Sequence, residues 1–432
     1  DDANMFYSAS GIYYDNIFVN GGEFTSYAGF GNQHTENFRI SSTFDVDHGW
    51  EMKNLTVCTG GILDAGSQIL NCSGDFTTSG GLIGKSAFDF DGSSGVINAG
   101  TDSSIDNIFD GGGTFEAWIN LDSDGEGSDG RIADKAKFII NAEQESGGKS
   151  KLRLYHYFDG TDAMFTTTDR LIENGKWHHI AIVYNNSATT NVPLIYVDGK
   201  SVSVTTDATP TGTRDSDAAA DFNIGNRTDD AKCLDGRIGM VRVFDDIRTE
   251  AELRADMFNN FASMANTGNL QLMYQFDEGS GTSVEDVSSQ SNNGTITAGT
   301  SDWAGAGTFT PGTSTLKMTG SNKNINYTGD ETIGHLHINA GQTTLNNLSV
   351  SDGTDTFTCS SIEIDSGATF TTTSGTTTIT DKISSGSYAN YMFQNAGTFN
   401  HNKGTVHWKA DTSSGTWYAM NGSTSATQTE FL

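Results

Sequence analysis

Proline is nearly missing from this 432-residue chain, which holds 3. Positive charge is also scarce: 24 Lys and Arg stand against 54 Asp and Glu, a formal net charge of −30. A surface of that sign repels phosphates, which argues against nucleic acid and anionic membranes as partners. No apolar run approaches the ~20 residues of a membrane-crossing helix, so membrane insertion by helices is not expected. Cysteine is limited to Cys58, Cys72, Cys233 and Cys359, with no zinc-type spacing. Cys58 and Cys72 could bridge neighbouring strand-like segments, or both could remain small buried thiols. The chain begins Asp1-Asp2 and ends in a polar stretch, 421–429, which reads as a processed form or a fragment of a longer protein.

What is present points to β structure. Apolar residues make up only 35%, yet 25 Phe, 13 Tyr and 6 Trp are too many for a disordered chain. Aromatic and β-branched residues, interrupted every few positions by some of the 51 glycines, read as short strands joined by tight turns. The acidic excess suits a protein in a salty medium, where charge is screened within ~8–10 Å. It also supplies oxygen ligands for calcium.

Three zones differ in texture. Residues 1–84 and 311–432 place one or two apolar residues between Gly- and Asn-rich turns, as in Gln68-Ile-Leu70-Asn, Leu336-His-Ile338-Asn, Leu345-Asn-Asn-Leu348-Ser-Val350 and Ile362-Glu-Ile364-Asp. No such segment buries a face alone, but stacked copies share a core, which predicts β-solenoid-like segments; an ordinary sandwich is the alternative. Turns such as Asp352-Gly353 punctuate the second zone, and its Thr-rich rows would form hydroxyl ladders. Residues 85–310 form a third zone with longer strands and the one convincing helix pattern. There Leu253, Met257, Phe258 and Phe261 share a face behind the N-cap Thr249.

Six ordered stretches of the middle zone carry a family pattern. They are Ala87-Phe-Asp89-Phe-Asp91-Gly92-Ser, Gly113-Thr-Phe115-Glu-Ala117-Trp118-Ile119, Gly175-Lys-Trp177-His178-His179-Ile-Ala-Ile-Val-Tyr184, Leu194-Ile-Tyr196-Val-Asp198-Gly199, Phe222-Asn-Ile224-Gly225 and Leu234-Asp235-Gly236-Arg-Ile238-Gly-Met-Val241-Arg242-Val243-Phe244. Together they resemble the laminin-G-like, concanavalin-A-like lectin/glucanase family. The resemblance implies an antiparallel jelly-roll sandwich of two sheets, inserted between the solenoid-like segments. Gly239 and Met240 stand where the family usually has an acidic pair. Leu270-Gln-Leu272-Met-Tyr274-Gln-Phe276-Asp277-Glu278 looks like the family's first strand but comes after its last. It is therefore expected beside Gly236 to Phe244 as a permuted first strand, with a second, truncated sandwich as the alternative. The texture of 215–226 and of Ala255-Asp-Met-Phe258 is similar to structural proteins of marine bacteriophages.

Candidate site residues fall in three sets. Asp122, Asp124 and Glu126 follow one another at i, i+2 and i+4 with Gly127 at the sixth position, like the opening half of an EF-hand-type loop, and Asp129 follows. Ala133 replaces the bidentate Glu of such loops, so calcium and a solvated acidic loop both remain open. Asp91 and Asp235 form a second metal candidate. On the strand pattern Lys151-Leu-Arg-Leu-Tyr-His-Tyr157, the residues Arg153, Tyr155 and Tyr157 share one face, which could stack and hydrogen-bond a glycan or simply pack across strands. The pair His178-His179 invites catalysis but stands in a strand that is structural in the family. Glu363-Ile-Asp365 is the nearest string to a glucanase acid set, and it lacks a third carboxylate.

The sequence thus predicts an all-β, non-catalytic structural protein of a virion surface or another extracellular setting. Its expected partners are a glycan or host-surface polysaccharide and further copies of itself. A bacterial adhesin or surface filament, and a polysaccharide-degrading tailspike enzyme, are the alternatives.

Overall fold

A computed structural model of the protein describes residues 13–20, 23–25, 34–46, 50–229, 231–305, 307–327, 332–347, 356–383, 387, 389–409 and 418–422. The expected rung residues Leu348 to Val350, the turn Asp352-Gly353 and the tail 423–429 lie outside them. The chain divides into two compact units. One joins Asp1–Gly80 to Gly305–Leu432, and the other is Gly81–Ala304.

The first unit is built from parallel, in-register strands. Several described strand segments, such as 316–318 and 336–338, alternate a buried apolar residue with an outward polar one, and the paired strand repeats the pattern directly opposite. Trp50 faces Leu70, Leu70 faces Leu316, Leu316 faces Leu336, Leu336 faces Ile362, and Ile362 faces Phe393. These side chains, with Met52, Cys72, Met318, Ile338 and Ile364, form one buried core. The ladder does not break where the other unit intervenes in sequence. Ile69–Cys72 pairs with Thr315–Met318 as regularly as its earlier partner does. A smaller parallel sheet sets Phe44, Leu63 and Phe309 opposite one another. The four cysteines are buried free thiols, and Cys72 donates to the Lys53 carbonyl at 3.2 Å. Burial pushes the Cys58 and Cys72 thiols up to about 12, leaving them neutral and unreactive.

The second unit pairs its strands antiparallel in two sheets. One runs in the order Lys200–Val202, Leu194–Val197, Trp177–Tyr184, Gly113–Leu121, Asp235–Phe244, Phe88–Asp91 and Asp302–Trp303. The other centres on Arg131–Asp134, Phe138–Glu143, Lys149–His156 and Ala163–Thr167. Phe115, Ile119, Ile180, Ile182, Ile238 and Val243 from the first share a core with Ile132, Phe138, Ile140, Leu152, Leu154 and Phe165 from the second. Burying each such side chain contributes roughly 1.5–3 kcal/mol. The late segment Leu270–Tyr274 lies antiparallel to Asp235–Phe244, with Leu272 opposite Val243 and Tyr274 opposite Val241. Gly239 has a packing reason: a Cβ there would stand 2.9 Å from the Trp177 ring.

The outer face of the first sheet is buried too. Gly113–Leu121 is buried at every position; Leu253 of the helix Glu250–Asp256 packs on Ala181, Val183 and Tyr196 of the neighbouring strands, and Phe258 just past the helix meets the Trp118 ring. Thr249 and Glu252 form a capping box at that helix's start, as the N-cap pattern predicts. The helix stops well short of Phe261, although the apolar spacing continues. Its end is fixed from below: the Trp118 Nε1–H donates to the Met257 carbonyl at 2.6 Å, and Arg242 donates to the Asp256 carbonyl at 3.0 Å and to that of Asn259. Carbonyls held this way stay directed at the sheet, and Phe261–Ser263 forms a separate 3-10 turn.

Arg242 is fully buried and faces Glu116 at 3.4 Å, while His179 lies 3.2 Å from the same carboxylate. Burial pushes the Glu116 carboxyl up, but the His179 contact and the Arg242 charge outweigh it and hold the group below its usual range. Glu116→Leu strands the Arg242 charge and should lower the unit's unfolding free energy by about 3–5 kcal/mol in urea melts. A loss under about 1 kcal/mol would contradict a structural role for the pair.

Candidate ligand-binding face and cleft

The strand Lys149–His156 alternates as its sequence suggests. Leu152, Leu154 and His156 point into the core, and Arg153 and Tyr155 are half-buried on the outer face with Tyr157 beyond. Phe138–Glu143 and Ala163–Thr167 flank it, bringing Asn141 and Thr166 opposite Arg153 and Ile139 and Met164 opposite Tyr155. Much of this face is already engaged. Arg153 pairs with Glu143 and donates to Thr166 Oγ1 at 3.0 Å. The Tyr155 hydroxyl donates to Asp162 at 2.5 Å, and burial with that carboxylate pushes the phenol up to about 12. The Tyr155 and Tyr157 rings meet edge to face, 4.9 Å apart. Lys137 sits 5.4 Å from the Tyr157 ring centre and pairs with Asp215 at 2.7 Å. The result is an aromatic ledge with a cation and a carboxylate at its edge.

A cleft of about 430 Å³ opens at Phe158, the residue that follows Tyr157 in the chain, and its lining includes Asp110, Asn186, Ser187, Thr213 and Arg214. Four separate loops supply them, joined by a bridge between Phe158 and Arg214. Phe158 is 5% exposed and gives the cleft an apolar floor. Arg214 is held by Asp110 and by the Asn107 side-chain oxygen at 2.6 Å. His156 lies beneath, among Phe109, Phe138, Phe158 and Tyr184. Burial pushes its imidazole down to about 4, so it is neutral at pH 7. Its Nδ1–H donates to the Tyr157 carbonyl at 3.2 Å and its Nε2 accepts from Asn186 at 3.3 Å, which fixes Asn186 over the cleft. None of these cleft residues stood out in the sequence. They come from positions up to about 100 residues apart, and no periodicity marks loop side chains.

The acidic loop is placed differently from an EF-hand. Asp129 is taken by Arg131 at 2.5 Å, Asn141 at 2.7 Å and Lys232 at 3.4 Å. Asp124 accepts from the Glu145 amide at 2.9 Å, Glu126 from the Cys233 amide at 3.2 Å, and Asp122 lies 3.8 Å from Arg237. Asp91 and Asp235 do come together as directly paired residues of adjacent strands. Their oxygens serve different donors: Ser93, Ser94 and Thr300 bond Asp91, and Ser123 bonds Asp235 at 2.5 Å. Among the described residues, the metal-ligating trio whose donor atoms all lie within 4.8 Å of one another is His337, Glu363 and Asp365, in the other unit. His178 bonds Asp198 at 2.9 Å and accepts from the Glu173 amide at 3.0 Å, and His179 is buried against Glu116. Both histidines are thus occupied in holding strands.

Residues 91–254, inside the second unit, match the family described as the concanavalin A-like lectin/glucanases superfamily (laminin G 3). This unit carries a lectin-like β fold. No curated protein matches the chain. Solved structures that resemble it include a Bacteroides ovatus ATCC 8483 protein assigned to carbohydrate binding, at 22% identity and a TM-score of 0.36, covering 49% of this chain and 58% of that one. Another is the enzymatically active domain of tailspike protein 2 from bacteriophage CBA120, at 11% identity and 0.30, covering 56% and 52%. The full-length tailspike protein 2 from an Escherichia coli O157:H7 bacteriophage gives 12% and 0.30, covering 57% and 47%. The chain thus spans about half the length of each of these proteins.

His156 links the cleft to pH. Its folded value of about 4 lies below the free value of 6.5, so the unfolded chain takes the proton first. Its contribution to stability is fully present above about pH 6.5 and is lost as pH falls toward 4, by up to about 3 kcal/mol. Thermal melts of the wild type should weaken across that window, and His156→Gln should flatten the slope. An equal slope in both proteins would show that His156 is not the titrating group.

Proposed function

We propose that this chain is a non-catalytic surface-displayed protein whose lectin-like unit binds glycans at the ledge and cleft around Tyr157 and Phe158. In this reading that unit is a jelly-roll sandwich with a permuted first strand at 270–276, and the parallel ladders form a β-solenoid that carries it. The observations behind the proposal are the aromatic ledge of Tyr155 and Tyr157 and, starting at the next residue, a cleft that combines the Phe158 floor with fixed polar groups on Asn186, Asp110 and Arg214. Sugar rings offer apolar C–H faces to aromatic rings and hydroxyls to amides, carboxylates and guanidinium groups. Asp110 is the one carboxyl group among the cleft's lining residues, and it is paired with Arg214. Glycoside hydrolysis generally uses two carboxyl groups ~5–10 Å apart, so this arrangement favours binding over cleavage. The proposed location, a virion surface or the outside of a cell, rests on the acidic composition and on the resemblance of 215–226 to marine phage structural proteins.

A glycan array probed with the purified chain tests the reading. It should give reproducible hits, and both Tyr157→Ala and Asp110→Asn should weaken them by about tenfold or more while leaving the melting temperature nearly unchanged. A blank array together with blank host-adsorption assays would overturn recognition. Release of reducing sugar from a bound polysaccharide would overturn the non-catalytic half.

A further inference from the structure

In-register parallel stacking brings together side chains that no sequence motif pairs. Thr332–Ile338 lies beside Thr356–Ile364, with His335 opposite Ser361 and His337 opposite Glu363. Leu336, Ile338, Ile362 and Ile364 point into the core, so His335, His337, Glu363 and Asp365 all emerge on the outer face. His337 Nε2 lies 3.0 Å from Asp365 Oδ2, and His335 Nε2 lies 3.3 Å from Glu363 Oε2.

We propose that His337, Glu363 and Asp365 form a binding site for a divalent first-row transition metal, best suited to zinc, with His335 as a positioning residue. One imidazole nitrogen and two carboxylates form a borderline nitrogen–oxygen set of the kind zinc and its neighbours prefer, whereas calcium takes oxygen alone. The donor atoms already lie within 4.8 Å of one another. Ligand atoms around tetrahedral zinc stand about 3.3 Å apart, as bonds of ~2.0–2.1 Å require. Half-exposed side chains on a rigid pair of strands close that gap by small rotamer shifts.

Two outer contacts act as the supports that metal ligands commonly have. The Asn339 amide donates to Asp365 Oδ2 at 2.6 Å and aims that carboxylate. Ser361 Oγ, buried to 1% exposure, lies 2.9 Å from His335 Nδ1, which directs His335 Nε2 at Glu363. The His335 hydrogen bond, partly opposed by burial, holds the Glu363 carboxyl below its usual range and keeps it ionised. Lys317 stands opposite His337 on the preceding strand, a half-buried cation that opposes metal binding. The metal would clip two successive strands of the ladder, which are 28 residues apart in sequence at His337 and Asp365.

The test is zinc uptake by the whole chain, measured by elemental analysis after equilibrium dialysis against zinc chloride at pH 7.5 with millimolar calcium present. The wild type should hold one zinc per chain at saturation and melt at a higher temperature with zinc than without. His337→Gln and Asp365→Asn should each weaken uptake by at least about tenfold. Lys317→Gln should tighten it about two- to threefold, as expected for removing a nearby surface charge. His407→Gln, an exposed histidine on the same unit, should leave it unchanged. No saturable uptake by the folded wild type overturns the proposal. So does uptake that His337→Gln leaves intact in protein whose circular dichroism matches the wild type. Glycan binding reads a different unit, so either proposal can fail without the other.

Discussion

Alternation of side chains along a strand, locked to a buried apolar layer, is the constraint on which the rest of this molecule depends. A strand's period of two leaves no freedom: once Leu152 and Leu154 enter the core, Arg153 and Tyr155 must face outward. In the lectin-like unit, that rule lays out the ledge. In the parallel unit, the same rule combines with direct stacking of one strand on the next. It therefore produces columns of similar character, apolar inside and polar outside. The outer column Glu51, Asn71, Lys317, His337 and Glu363 is one of these. Core packing thus selects the surface chemistry of the strands, while loops supply the cleft.

The lectin-like unit departs from a simple two-layer pattern on the side where the helix Glu250–Asp256 lies. There both faces of the sheet are buried, and polar groups replace part of the apolar seal. Glu116 pairs with both His179 and Arg242, and Trp118 and Arg242 bind the carbonyls at the helix end. Buried charges of this kind add little net stability over an apolar replacement, but they tolerate few alternative arrangements. They fix where the helix ends. On the opposite sheet Arg153, Tyr155 and Tyr157 stand half-buried and form the ledge, while the cleft opens at Phe158 among loops that flank strands of both sheets.

The sequence revealed unevenly what the structure contains. The six family stretches and the helix cap were legible because each is a local pattern: strand alternation, a tight Gly turn, or Thr249 set three residues before Glu252. The partner of Leu270–Tyr274 was legible only through resemblance, since antiparallel pairing leaves no local mark. The acidic loop's carboxylates alternate as a calcium loop's do, and the contacts that Asp129 makes with Asn141 and Lys232, and Asp124 with the Glu145 amide, come from outside that local pattern. The end of the helix is likewise not legible locally, because Trp118 and Arg242 act on it from two other strands. The acids at Glu363 and Asp365 were noticed, but the histidines facing them were not, because the two strands come together only when stacked.

The most direct test of the account is a pair of one-residue-apart substitutions on the strand Lys149–His156. Leu154→Asp and Tyr155→Asp introduce the same charge at adjacent positions on opposite faces. Urea denaturation should show Leu154→Asp losing about 3 kcal/mol or more, since it buries an unpaired carboxylate in the shared core, and Tyr155→Asp losing under about 1 kcal/mol. Equal losses at the two positions would contradict the claim that a single buried layer decides which side chains face outward.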